Sequence, residues 1–178
     1  MNKKKFFFLG LAIVIVVVGF SFLLRYFLTQ NKENSQPESK NWVATTTVED
    51  VVFNYPPILS TSYISAVEWP PQVKILKQKF SCVSSGNEIL AGGKTESRII
   101  NNRTYCVTQV SEGAAGSVYT SYAYALPKDD KTIVLTFTLR FVQCQNYDEL
   151  KASECETERA IFEVDKIADE IAQTVEKK

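Results

Sequence analysis

Residues 6–24, FFFLGLAIVIVVVGFSFLL, run for nineteen positions without a charge, and no other feature limits the chain as strongly. At about 1.5 Å rise per helical residue the run reaches roughly 28 Å, close to the hydrocarbon thickness of a bilayer. A lone span has no water to satisfy its backbone, so helix is the conformation it must take. A buried helix of a soluble core would keep a polar stripe, and this one has none. The reading is a single N-terminal transmembrane helix over 6–28, preceded by a cytoplasmic tail, 1–5.

Lys3, Lys4 and Lys5 precede the span and Arg25 sits at its far boundary. Positive residues stay on the cytoplasmic side, so the amino terminus is expected inside and everything after Leu28 outside. Arg25 can snorkel its charge to the interface. A cleavable signal peptide would have a shorter apolar core ending at a small-x-small site. SFLLRYFLTQ offers no such site, so the segment reads as a retained signal-anchor.

Residues 29–41, TQNKENSQPESKN, hold no large apolar side chain and read as a flexible linker. The remaining 137 residues, 42–178, are long enough for one extracytoplasmic domain with a real core. This stretch carries 14 basic and 18 acidic residues, a net charge of −4. That sign opposes phosphate-dominated contact with nucleic acid, so no such partner is expected. Gly93-Lys94-Thr95 imitates the end of a phosphate-binding loop, but Glu88 stands where the pattern needs glycine. No nucleotide is expected either.

The four cysteines, Cys82, Cys106, Cys144 and Cys155, read as two disulfides outside the cell. Three pairings are open. Cys144 and Cys155 flank a polar loop, which favours joining them locally and leaves Cys82 for Cys106. Without histidine or C-x-x-C, and with spacings of 24, 38 and 11, they do not read as a zinc site. No metal or other cofactor is expected. The lack of histidine excludes Ser-His-Asp, Cys-His and H-E-x-x-H chemistry, and no S-x-x-K occurs. A non-enzymatic role is expected, with a carboxylate-dependent hydrolase as the alternative.

VEDVVFNYPP (48–57) alternates as a strand stopped by prolines, and a second aromatic-Pro-Pro follows at Trp69-Pro70-Pro71. Residues 72–83 read as another strand. RIINNRTYCVT (98–108) reads as a hairpin turning at Asn101-Asn102. Strands 118–126 and 132–143 flank the turn PKDDK and should pair antiparallel. Placing Ala125 opposite Ile133 sets small residues against large ones, in a row ending at Phe141. From Thr157 to Val175, Ile161, Val164, Ala168, Ile171 and Val175 recur at helical spacing, with Glu163, Lys166, Asp169, Glu170 and Glu176 mostly off that stripe. The fold expected is α+β, an antiparallel sheet covered on one face by a C-terminal amphipathic helix.

Two surfaces stand out as candidate ligand sites. SEGAAGS (111–117) combines an acid with small residues that permit close backbone approach, singling out Glu112, Gly113, Gly116 and Ser117. In the register assumed, the uncovered sheet face carries Tyr122, Tyr124, Thr136, Thr138 and Arg140, a mixture suited to glycan or peptide.

The run YCV…SEGAAGSVYTSYAY…FTLRFVQCQNYDEL…CETERAIFEVDKIADEIA resembles a family of uncharacterised, membrane-anchored extracytoplasmic proteins of candidate-phylum bacteria. The cysteines, the EGAAGS loop and the tyrosine-rich strand carry the match over most of residues 50–175. The strand-Tyr-Pro opening and closing helix are also similar to the PsbP-like sandwich of helices on an antiparallel sheet. Neither resemblance implies an activity. The function expected is a membrane-tethered binding or scaffold module for an envelope protein, peptide or glycan. A purely structural envelope component is the further alternative.

Overall fold

The computed structural model describes residues 44–48, 51–86, 89 and 92–177. All of them fall in the unit Ser35–Lys178. The expected tail, transmembrane span and linker lie outside the described residues. Among the described residues no helix is long and apolar enough to cross a membrane.

Strand β1 (Ala44–Val48) pairs antiparallel with β2 (Val51–Tyr55), which stops at Pro56-Pro57. Proline has no backbone N–H to donate, so the ladder ends there. A two-residue strand, Glu176–Lys177, pairs with the other edge of β2. The larger sheet holds five antiparallel strands. They are β3 (Ile64–Leu76), β4 (Lys94–Ile100), β5 (Arg103–Ala114), β6 (Ser117–Lys128) and β7 (Lys131–Val142), in the order β3-β7-β6-β5-β4.

The strand expected at 72–83 instead spans Ile64–Leu76 and runs through Trp69-Pro70-Pro71. Register shifts between Ala66 and Gln72 absorb the prolines, which is tolerated because β3 is an edge strand. There the two aromatic-proline segments meet. Trp69 Nε1 donates to the Pro56 carbonyl at 2.7 Å, and the Tyr55 and Trp69 rings pack edge to face.

Three two-residue turns join the central strands. Asn101 and Asn102 take φ of 47° and 63°, the left-handed pair that a tight hairpin between twisted strands requires. SEGAAGS, expected as a loop, is mostly strand and turns at Ala115-Gly116 with φ of 46° and 70°. PKDDK turns at Asp129-Asp130.

This last turn decides which sheet face is covered. Lys128 pairs with Lys131, so Leu126 lies opposite Ile133, Tyr124 opposite Leu135 and Tyr122 opposite Phe137. The assumed register was one residue away, and a slip of one exchanges the two faces of a strand. Tyr122 and Tyr124 are therefore corrected from the open face to the covered one, where Tyr124 has no exposed surface. Ser121 and Ala123 share the open face with Thr136, Thr138 and Arg140 in their place. On the covered side Tyr122, Tyr124 and Phe137 stack with centroids 5.4–6.2 Å apart, and Val73, Val107, Leu135 and Leu139 complete the layer.

The expected single helix over 157–175 is also corrected. The C-terminal segment forms two short helices, α1 (Glu149–Ile161) and α2 (Val164–Gln173), broken where Phe162 and Glu163 take extended or irregular dihedrals. Phe162 thereby turns into the core, while Ile161, expected in the stripe, stays partly exposed. The core face of α2 is Ile167, Ala168, Asp169, Ile171 and Ala172. Asp169, expected off the stripe, is fully buried. The α+β picture of one sheet beneath one long helix thus gives way to a predominantly antiparallel β domain. Among the described residues it has two sheets and a pair of short C-terminal helices.

Disulfides join Cys82 to Cys106 and Cys144 to Cys155. The second ties α1, whose one buried residue is Cys155, to the turn after β7. Two such bonds indicate an oxidising, extracytoplasmic environment.

Candidate functional site

A groove of about 650 Å³ opens between β4 and the start of α2. Period-two alternation sends Lys94, Glu96 and Arg98 to the helix side of β4, opposite Gln109, Val107 and Tyr105 of β5. The break before α2 brings Asp165, in the first helical turn, against them. Ile100, Phe162 and Val164 supply apolar wall, and Tyr122 lies in the lining.

The Arg98 guanidinium organises these groups. Its Nε donates to Glu96 at 2.8 Å, Nη2 to Gln109 Oε1 at 2.6 Å and Nη1 to Asp165 Oδ1 at 2.9 Å. Tyr124 donates its hydroxyl to the same Asp165 Oδ1 at 2.6 Å. Asp165 Oδ2 accepts nothing among the described residues. Lys94 pairs with Glu96, and Lys166 with Glu163 at 3.7 Å. Three cations thus answer three carboxylates around the groove. Hydrogen bonds from Lys94 and Arg98 hold Glu96 below the usual carboxylate range. Burial pushes the Tyr122 phenol up to about 12, with Gln109 and Thr120 partly opposing it. Burial and then Asp165 raise Tyr124 further. Both phenols are therefore neutral at ordinary pH and act as hydrogen-bonding groups.

Beside the groove a second carboxylate serves the fold. Asp169 accepts from Tyr105 Oη at 2.5 Å, Asn101 Nδ2 at 2.8 Å, Arg103 Nη1 at 2.7 Å and Gln173 Nε2 at 2.6 Å. With four donors its demand is met, and burial removes it from any ligand.

Of the residues singled out from sequence, Tyr122 lines this groove and Tyr124 holds Asp165. Glu112, Gly113, Gly116, Ser117 and Arg140 do not line it. Glu112 is exposed opposite Tyr119, and Gly113 lies opposite Val118. The Gly116 carbonyl accepts from Gln143 N at 3.0 Å and Asn146 Nδ2 at 3.3 Å. Ser117 is fully buried and its Oγ accepts from Arg140 Nε at 3.0 Å. These contacts fasten the hairpin to the turn after β7. A smaller depression of about 270 Å³ lies beside the β3 bulge, lined by Glu68, Gln72, Ser121 and Thr138 among others. Among the described residues no group of three metal-ligating side chains converges.

Sequence reasoning missed Arg98, Gln109 and Asp165. The available signal was the row Lys94, Glu96, Arg98 on one face of a strand, and the i,i+4 pair Asp165 and Asp169 beside apolar helix positions. Fold and site together define a small disulfide-bonded antiparallel β domain with a lateral polar groove. No family model, curated protein or solved structure matches the chain.

Proposed function

We propose that the protein is a non-enzymatic binding module, held at the outer face of a membrane by segment 6–28, and that its ligand occupies the groove at Arg98 and Asp165. One observation carries this reading. Arg98, Gln109, Asp165 and Tyr122 converge on an open concavity of about 650 Å³, within the usual size of small-ligand sites. Neighbouring strands β4, β5 and β6 carry Arg98, Gln109 and Tyr122 on one sheet, which suits recognition without large rearrangement. The disulfides and the apolar leader support the compartment, in keeping with the resemblance to membrane-anchored extracytoplasmic proteins.

The test uses the full chain in detergent micelles against arrays of envelope glycans and peptides. Val164→Trp fills the groove from its wall, and retained circular dichroism reports an intact fold. Loss of array binding in this variant is the expected result. Undiminished binding would place the ligand elsewhere on the domain.

A further inference from the structure

We infer that the ligand of this groove is an uncharged polyhydroxyl compound, a glycan segment, taken through the free oxygen of Asp165. The inference rests on the groove being the binding site and adds the chemical class. Asp165 presents one carboxylate oxygen already holding Tyr124 and Arg98, and a second with no partner among the described residues. Two bonds to one oxygen fix the plane of the carboxylate, so Oδ2 is an oriented acceptor. Arg98 Nη2 donates to Oε1 of Gln109, which assigns the amide and turns its NH₂ group toward the Tyr122 hydroxyl, leaving the second N–H as a donor. A fixed acceptor and this second N–H suit hydroxyl groups, which both give and receive hydrogen bonds.

Charge balance disfavours the competing classes. A cation at the free Oδ2 would meet a carboxylate whose charge Arg98 already offsets. An anion drawn to Arg98 would have to displace Glu96 or Asp165, which Arg98 already contacts at 2.7–2.9 Å. That would leave a partly buried charge without its partner, a costly exchange. A neutral hydroxyl ligand needs no such exchange. The carbon skeleton of a sugar ring also offers apolar faces to Phe162, Ile100 and Val164.

The experiment titrates the full chain in micelles with three probes at millimolar concentration. They are a neutral β-linked glucose disaccharide, a glucuronic acid disaccharide and a glucosamine disaccharide. The Gln109 side-chain amide resonance is followed by NMR. The neutral probe should shift it, and each charged probe should bind about tenfold or more weakly. Asp165→Asn keeps a carbonyl for Tyr124 and Arg98 but replaces the free acceptor with a donor. It should weaken the neutral probe about tenfold. Tighter binding of a charged probe that Val164→Trp abolishes would overturn the polyol inference while leaving the groove as the site. Binding insensitive to Val164→Trp would overturn both. Absence of any Gln109 shift with the neutral probe would overturn the polyol inference, as would Asp165→Asn binding that probe like the wild type.

Discussion

Asp169 is the residue on which local stability turns. Its carboxylate is enclosed and gathers donors from β5, the Asn101 turn and α2. Asp169→Asn keeps the shape but places an NH₂ group against those donors. It should cost about 1–3 kcal/mol, read as a lower urea midpoint. The same group sets the acid limb. Burial alone would raise its pKa, but the bonds from Tyr105, Asn101, Arg103 and Gln173 together bring it below the ordinary 3.8. A depressed acid stabilises the native state above the unfolded value, and that contribution is lost as pH falls through the folded value. Tyr105 and Tyr124 set the alkaline limb, raised above 10.0 first by burial and then by Asp169 and Asp165. Their contribution is complete below pH 10 and disappears as pH rises through the folded values. Urea midpoints should therefore fall as pH drops below about 4 and again as it rises above about 10. Native tyrosinate absorbance should lag behind that of the unfolded chain. None of this was legible in the periodicity, because an aspartate beside an apolar stripe gives no sign of which neighbours will enclose it.

At the scale of elements, turn chemistry was readable where the residues demanded it and misleading where they did not. Asn101-Asn102 announces a tight hairpin, and Asn tolerates the positive φ found there. PKDDK announces a turn but not its register, and one residue of slip moved both tyrosines from the open face into the core. Tyr122→Ala should then be a core truncation costing about 3–5 kcal/mol in chemical denaturation, not a silent surface change. A loss under about 1 kcal/mol would contradict its packing on Phe137. The helix break at Phe162 had no glycine or proline to mark it. At the break the Phe162 ring is buried while Ile161 stays partly exposed. Helix α1 buries little besides Cys155, so its attachment leans on the Cys144–Cys155 bond and on Glu158, which accepts from Thr61 Oγ1 and Tyr63 N. Replacing both cysteines by serine should cost about 3 kcal/mol by the loop-closure estimate. Amide exchange should quicken in α1 before it does in β6 or β7.

At the scale of the whole molecule, every cysteine is paired and the proposal sets the domain outside the cell. A thiol reagent applied to denatured, unreduced protein should label no cysteine, and protease added to intact cells should digest the domain. Labelling of the native cysteines or full protection would contradict the proposed compartment. Several properties follow from residues close together in the chain. The apolar run, the polar linker, the hairpin at Asn101-Asn102 and the lack of histidine chemistry belong here, because composition and local φ preference act over a few positions. The tertiary structure alone decided which face of β6 is covered, where the C-terminal helix breaks, and that Arg98, Gln109 and Asp165 share a groove. Those outcomes depend on register and on burial between segments up to 67 residues apart. At that separation the energy of a contact depends on the enclosed surroundings and not on the pattern of the segment that carries it.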